Sequence, residues 1–212
     1  KEYRRQRQMC IRDSLCADQS ILRLNPASVA ARLVTPKVRP AGCNELGPVA
    51  RQPTRALALS PDGSLLLLAA DDSILGFDLP GFVEWKALRL HKGRTWKYPD
   101  YEMFHLEDIA FAPDGREFVT SYLSNSYGAV ARWSVETRRP IAVTDRLEWG
   151  CNALVYSPDG TMFAGACRDK VIRLWSVDRF DPIRELASHG CQTRSLGFSA
   201  DGRNLVSLDQ DN

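Results

Sequence analysis

The sequence lacks any long apolar segment and any large excess of charge of one sign. Its longest apolar run, LLLLAA at 65–70, has the length of a strand, whereas a membrane-spanning helix needs roughly 20 apolar residues. Lys and Arg number 28 against 26 Asp and Glu, which leaves a net charge of +2. So small a charge gives no strong attraction to a polyanion. The sequence therefore predicts no membrane partner and argues against nucleic acid.

Paired cysteine motifs are also missing. The chain has six cysteines, and no two have the Cys-x-x-Cys spacing of a zinc site or a redox motif. We interpret them as free thiols, several of them buried as small hydrophobic side chains. Free thiols favour a reducing compartment, so we expect a cytoplasmic protein.

Catalytic and cofactor motifs are absent as well. There is no Gly-rich phosphate loop and no His-Glu-x-x-His zinc motif, and the three histidines are dispersed along the chain. Ligands from distant segments could still converge, so dispersal alone does not exclude a metal site. The sequence predicts a protein that is not an enzyme and holds no cofactor.

The first 49 residues show little periodicity. Residues 1–14, KEYRRQRQMCIRDS, lack a first methionine and an apolar signal region, and they resemble translated sequencing-adapter sequence. We interpret them as a non-native leader, since a basic nucleic-acid-binding arm has no supporting context. Residues 15–49 are rich in proline. They are an irregular lead-in or a degenerate repeat unit, with a short helix possible over 27–34.

From residue 50 onward the chain contains an internal repeat. Four strings share an apolar residue, a small residue, Pro or Ala, Asp and Gly. They are Leu59-Ser60-Pro61-Asp62-Gly63, Phe111-Ala112-Pro113-Asp114-Gly115, Tyr156-Ser157-Pro158-Asp159-Gly160 and Phe198-Ser199-Ala200-Asp201-Gly202. Their third residues are 52, 45 and 42 residues apart. Repeats at such a period indicate a propeller or solenoid architecture.

Each repeat unit has the chemistry of antiparallel strands joined by tight turns. Apolar residues alternate with small or polar ones before each turn, as Ile109 and Phe111 do, and this period of two is typical of a strand. Pro, Asp and Gly are turn residues, so the repeated aspartates are predicted to form turns rather than a paired acid site. Second, third and weaker fourth strands follow in each complete unit. Four short strands in about 40–45 residues correspond to one propeller blade.

At these residues the chain resembles the WD-repeat family. The third unit matches best, with the turn at Arg168-Asp169-Lys170 and a strand ending in Trp175-Ser176, where the family has Trp-Asp. The resemblance covers about residues 50–212 and implies an all-β fold, a WD-repeat β-propeller fragment with about three four-stranded blades plus the start of a fourth. The expected blades are about 50–90, 105–145, 150–188 and 189–212, the last of them truncated.

Three residues have the types of a serine-hydrolase triad: His189, Ser207 and Asp211. A hydrolase serine sits in Gly-x-Ser-x-Gly, and Ser207 does not. The resemblance implies instead a structural network, in which a loop histidine bonds a second-strand hydroxyl and is oriented by a turn aspartate. These three residues occupy those positions in the fourth unit. Asp169 and Trp175 match parts of the network in the third.

Long connections carry the predicted partner-binding residues. The insertion at 90–107 mixes aromatic and basic residues, and a second loop follows the second strand of the second unit. Such mixtures suit protein hot spots or stacked single-stranded nucleic acid, or else pack back on the fold. The candidates are Arg94, Trp96, Tyr98, Tyr101 and Tyr127. We predict a non-catalytic scaffold that binds other proteins through its loop face. The alternatives are a propeller-based enzyme with a central-channel site and a regulatory or sensory propeller appended to a larger protein such as a kinase.

Overall fold

Two separate units make up the chain, and each is described by itself. The computed structural model describes residues 55–70, 72–79, 81, 83–89, 105–124, 127–144, 147–187 and 190–209, and two strands nearer the start. The first unit, Lys1–Thr54, contains the antiparallel strands β1 (Ile21–Leu24) and β2 (Ala31–Val34). The helix considered for 27–34 is therefore wrong over its second half, where three of the four residues are apolar and pair with another strand. The predicted leader at 1–14 lies outside the described residues.

The second unit, Arg55–Asn212, is built from antiparallel sheets in chain order. Blade 1 contains β3 (Ala56–Leu59), β4 (Leu65–Ala70), β5 (Ser73–Asp78) and β6 (Val83–Glu84). Blade 2 contains β7 (His105–Phe111), β8 (Glu117–Leu123), β9 (Tyr127–Ser134) and β10 (Arg139–Val143), and β11 (Leu147–Glu148) pairs with the start of β9. Blade 3 contains β12 (Cys151–Tyr156), β13 (Met162–Cys167), β14 (Val171–Ser176) and β15 (Pro182–Ala187). Blade 4 contains β16 (Thr193–Phe198) and β17 (Leu205–Asp209).

This architecture confirms the predicted all-β propeller fold. The first strands of successive blades contact one another, so β3, β7, β12 and β16 form the inner side of the unit. They all begin on one face, which we call the loop face, and end at the repeated turns on the opposite turn face. Among the described residues, no helix is long and apolar enough to cross a membrane. The predicted blade boundaries themselves stay predictions.

The repeated turns form as their residue types predict. Asp159 accepts hydrogen bonds from Ser157 Oγ at 2.6 Å and from the backbone N–H of Thr161 at 3.0 Å, and Asp62 and Asp201 make equivalent contacts. These bonds lower the pKa of the three carboxyls, to about 2 for Asp62. The turn glycines all have φ near +71 to +74°, which a residue with a Cβ rarely adopts. The prediction that these aspartates form turns is confirmed.

Adjacent turns also pack against each other. A Cβ placed on Gly115 would lie 3.4 Å from Cδ of Pro61, and the same relation holds between Gly160 and Pro113 at 3.5 Å. It recurs between Gly202 and Pro158 at 3.6 Å. The turn proline of each blade therefore contacts the turn glycine of the next, which keeps the turn faces in register.

The hydrophobic cores lie between successive blades. One cluster joins blades 1 and 2 through residues such as Leu67, Trp85 and Trp133, and a second joins blades 2 and 3 through Val130 and Trp175. Strand β4 is buried along almost its whole length because both of its faces are covered. This explains why 65–70 is a continuous apolar run rather than an alternating one.

Candidate functional site

Four polar residues stand at one repeated position where the first strands begin. Arg55, Glu107, Asn152 and Arg194 each lie six residues before the third residue of the turn string. In blades 2, 3 and 4 the strand pairing skips this residue, so Glu107, Asn152 and Arg194 are β-bulges. Bulges re-aim a side chain relative to the regular sheet and occur often beside functional sites. The loop face therefore presents a repeated polar position on the inner side of the unit.

Hydrogen bonds link this position across all four blades. Arg55 and Arg168 both donate to Oε1 of Glu107, the latter from Nη2 at 3.2 Å. Arg168 also donates from Nε to Oδ1 of Asn152 at 2.7 Å, and Asn152 donates to the carbonyl oxygen of Thr193 at 3.5 Å. We call these five residues, Arg55, Glu107, Asn152, Arg168 and Thr193, the inner rim. Its members come from blades 1, 2, 3 and 4, so the rim is a property of the assembled blades.

A half-buried carboxylate reinforces the rim between blades 2 and 3. Asp108, beside Glu107, accepts a hydrogen bond from the backbone N–H of Leu154 at 2.6 Å and from that of Ile109 at 2.9 Å. Burial raises the pKa of Asp108 to about 6, even though these two bonds favour the ionised form. The matching positions in the other blades hold Ala56, Ala153 and Ser195. This carboxylate contact is thus peculiar to one blade junction.

An exposed tryptophan stands next to the inner rim. Trp149 is 50% exposed, and it is the one aromatic among the large apolar residues exposed in the described part of the chain. It has φ +62° and precedes Gly150 with φ +59°, so two successive residues adopt the left-handed conformation. That conformation is unfavourable for a bulky residue and often marks a functional segment. The carbonyl of Gly150 accepts the backbone N–H of Arg168 at 2.8 Å, which ties Trp149 to the rim.

A close approach of two glycines sets the position of Trp149. A Cβ on Gly128 would lie 2.4 Å from Cα of Gly150 and 2.4 Å from the carbonyl oxygen of Tyr122. Glu148 pairs with Tyr127 through the two-residue strand β11. The connection that carries Trp149 therefore runs beside the start of β9. This places Trp149, Tyr127 and Arg168 on the loop face.

The structure tests only part of the predicted binding set. Tyr127 is half-buried at the start of β9, next to the connection that carries Trp149. Arg94, Trp96, Tyr98 and Tyr101 lie outside the described residues, so their role stays a prediction. Trp149 was missed because a single tryptophan between Glu and Gly has no periodic or motif signal. The inner rim was also missed, although the fixed six-residue offset from the turns is visible in the sequence.

The predicted structural network lies partly outside the described residues. His189 and Asp211 lie outside the described residues, so the network of blade 4 stays a prediction. Ser207 lies in β17. In blade 3, Asp169 accepts a hydrogen bond from the backbone N–H of Val171 at 3.2 Å. It also forms an ion pair with Arg173 at 2.6 Å. Trp175 is buried and stacks on Phe163 at 5.0 Å.

Blade 2 shows how a tryptophan is held when a second-strand hydroxyl is present. Trp133 Nε1 donates to Thr120 Oγ1 at 2.9 Å, and both residues are fully buried. In blade 3 the position of Thr120 is taken by Gly165. A Cβ at Gly165 would lie 2.9 Å from the ring of Trp175, so the glycine makes room for the indole. The two blades therefore accommodate the tryptophan at this repeated position by different means.

The expectation of free thiols is wrong for two cysteines. Cys151 and Cys167 are directly opposite in β12 and β13 and form a disulfide. Their spacing of 16 residues matches no motif, and the strand register alone brings them together. The disulfide lies one residue before both Asn152 and Arg168 of the inner rim. Among the described residues, no group of three or more metal-ligating side chains is found.

Comparison with known proteins identifies a WD repeat in the chain. Residues 146–176 match the model of the WD domain, G-beta repeat, and they cover the best-matching unit of the sequence, from the connection before blade 3 to the end of β14. A WD repeat-containing protein 91 homolog from Dictyostelium discoideum is 30% identical over 112 residues, which is 52% of this chain and 15% of that protein. Transcription initiation factor TFIID subunit 5 from Caenorhabditis elegans is 23% identical over 74% of this chain and 22% of its own length.

The matches cover small parts of longer proteins. Mouse apoptotic protease-activating factor 1 is 27% identical over 57% of this chain but only 9% of its own length. Among solved structures, Kuenenia stuttgartiensis hydrazine synthase has a TM-score of 0.62 at 19% identity, over 73% of this chain and 41% of that chain. This likeness shows the fold alone. The repeat match and the blade architecture support the resemblance: the chain contains a WD repeat, at residues 146–176, within a β-propeller fold.

Proposed function

We propose that this chain is a non-catalytic scaffold that binds a partner protein on its loop face. WD repeats generally mediate protein–protein interaction, and several relatives are WD-repeat proteins. Repetition gives a rigid sheet framework whose connecting loops vary freely, which suits a binding platform. The partner is held by the surface formed by Tyr127, Trp149 and Arg168.

The exposure of Trp149 carries this proposal. A tryptophan that is 50% exposed leaves much apolar surface in water, and its left-handed backbone adds a conformational cost. A partner that covered the ring would remove this apolar surface from water. Trp, Tyr and Arg are also the residue types most enriched at interaction hot spots.

The experiment is quantitative capture of partners with matched variants. Trp149→Ala is compared with Ile183→Ala, which removes an equally exposed apolar side chain from the outer strand β15. We expect Trp149→Ala to abolish a defined set of captured proteins that Ile183→Ala retains, with unchanged melting temperatures for both. Equal loss in the two variants, or no loss in either, would contradict the proposal.

A second candidate is a regulatory propeller within a longer protein. The relatives that match are several times longer than the matched segment. Measuring whether Trp149→Ala changes an activity elsewhere in the parent protein separates this candidate from a simple scaffold. A catalytic role has no such support, because the likeness to hydrazine synthase, at 19% identity, shows the fold alone.

A further inference from the structure

The inner rim carries more positive charge than it neutralises. Arg55 and Arg168 both donate to the same oxygen of Glu107, yet a carboxylate bears a single negative charge. The side chains of Arg55 and Arg168 remain 35% and 34% exposed. Arg194, at the matching position of blade 4, is exposed as well. Three guanidiniums therefore gather where the first strands begin.

Nearby acids only partly offset this charge. Glu148 is exposed beside Trp149, on the side of the connection that pairs with Tyr127. Asp108 directs its carboxylate toward the backbone N–H of Leu154, in the junction between blades 2 and 3. Burial at that junction raises its pKa. The exposed parts of the Arg55 and Arg168 side chains are thus the hydrogen-bond donors that the rim offers to a ligand.

Resting on the proposed function, we propose that the partner segment bound at the inner rim is an acidic peptide. One carboxylate of this peptide pairs with Arg168 and Arg55, and a neighbouring apolar side chain packs on Trp149. The two contacts fit one short segment, since the carbonyl of Gly150, next to Trp149, binds the backbone N–H of Arg168 at 2.8 Å. Guanidinium groups bind carboxylates through two parallel hydrogen bonds, which gives such a contact both strength and orientation.

A peptide fits this surface better than a nucleic acid does. A phosphate backbone carries negative charge along its whole length and needs an unbroken basic track. Here Glu107 and Glu148 interrupt the arginines and would repel successive phosphates. A peptide has alternating donors and acceptors and places negative charge only at chosen side chains. The mixed charges of the rim match that pattern.

The test uses two fluorescein-labelled peptides and fluorescence anisotropy. The first has the sequence Glu-Glu-Leu-Glu-Glu-Leu-Glu, and the second replaces each Glu by Gln. We expect the Glu peptide to bind the wild-type chain at least about tenfold more tightly, as expected for one charge-assisted hydrogen bond. Arg168→Gln and Arg55→Gln should each weaken the Glu peptide about tenfold and leave the Gln peptide unchanged. Added salt should weaken only the Glu peptide.

The matched control is Arg116→Gln, which removes the same charge from an exposed turn on the opposite face of blade 2. It should change binding by less than about twofold, because a distant exposed charge is screened. Melting curves establish that each variant is folded. If Arg168→Gln does not fold, Arg55→Gln and Arg194→Gln carry the test.

Three results would overturn the acidic-peptide proposal. They are failure of the Glu peptide to bind, equal binding of the two peptides, and tighter binding of a thymidine oligonucleotide with the same dependence on Arg168. The scaffold proposal is judged separately by Trp149→Ala. If that variant loses its partners while the arginine variants keep them, the scaffold stands and the acidic ligand does not.

Discussion

The Asp108 carboxylate accepts the backbone N–H of Leu154 at 2.6 Å and so joins the first strands of blades 2 and 3. The half-buried carboxylate makes this contact at a blade junction. It is the one place in the described unit where a titratable side chain bonds the main chain of the next blade's first strand. The stability of that junction should therefore respond to pH.

Asp108→Asn should change how stability varies with pH. Burial raises the pKa of Asp108 from 3.8 to about 6 in the folded protein. The folded state thus holds its proton more tightly than the unfolded state. This contribution to stability is fully present below about pH 4 and is lost as the pH rises to about 6. The complete shift corresponds to about 3 kcal/mol, and partial exposure reduces the expected effect to about 1–2 kcal/mol.

Urea unfolding of the wild type and the variant across this pH range measures the difference. Asparagine keeps an acceptor for Leu154 but does not titrate, so the variant should gain stability relative to the wild type between about pH 4 and pH 6. Replacing the exposed Asp178 by Asn serves as the control and should produce no such gain. A constant difference between Asp108→Asn and wild type across the range would contradict the assignment.

Thr120→Val should destabilise the protein although it preserves side-chain shape. The change removes the acceptor of the Trp133 indole N–H and leaves that buried donor without a partner. The expected loss is about 1–3 kcal/mol in the free energy of unfolding. Ser121→Ala is the matched control, because the buried Ser121 hydroxyl has no hydrogen-bond partner among the described residues. Chemical denaturation of both variants gives the comparison, and equal losses would argue against the role of this hydrogen bond.

Reduction of the Cys151–Cys167 disulfide should lower stability. The bond closes a loop of sequence separation 16, and a cross-link over a loop of about 15 residues contributes about 3 kcal/mol by restricting the unfolded chain. Dithiothreitol should therefore lower the midpoint of unfolding. The double variant Cys151→Ala plus Cys167→Ala should melt like the reduced protein and ignore the reductant.

Alkylation under denaturing conditions followed by peptide mass spectrometry checks the bond directly. Protection of Cys151 and Cys167 is the expected pattern. Labelling of both in freshly purified protein would instead favour the reducing compartment that the sequence predicts. The cytoplasmic location stays a prediction.

Gly128→Ala should displace Trp149 and weaken partner binding. The added Cβ would approach Cα of Gly150 and the carbonyl oxygen of Tyr122 at 2.4 Å, and backbone atoms cannot yield as a flexible side chain can. The connection carrying Trp149 must therefore move. Gly197→Ala, where nothing lies within 4 Å of the new Cβ, is the control. Tryptophan fluorescence and partner capture are the measurements. Unchanged capture in Gly128→Ala would show that this contact does not position the binding surface.

The repeat, the turns and the order of the strands follow from local sequence. These depend on residues close together in the chain: Asp159 bonds Ser157 and Thr161 within its own turn, and alternation in β7 needs only its own neighbours. Local chemistry of this kind repeats whenever the residues repeat. For that reason the all-β propeller fold and the turn role of the aspartates could be predicted before any contact was known.

The inner rim, the disulfide and the exposure of Trp149 depend instead on how distant segments pack in three dimensions. Arg55 and Arg168 meet on Glu107 from 52 and 61 residues away, and no local pattern encodes that meeting. Cys151 and Cys167 bond because the register of β12 and β13 places them opposite each other. Trp149 stays in water because Gly128 and Gly150 let two backbones approach. Each depends on how blades and strands pack together, and packing is set by contacts that a linear reading of residues does not contain.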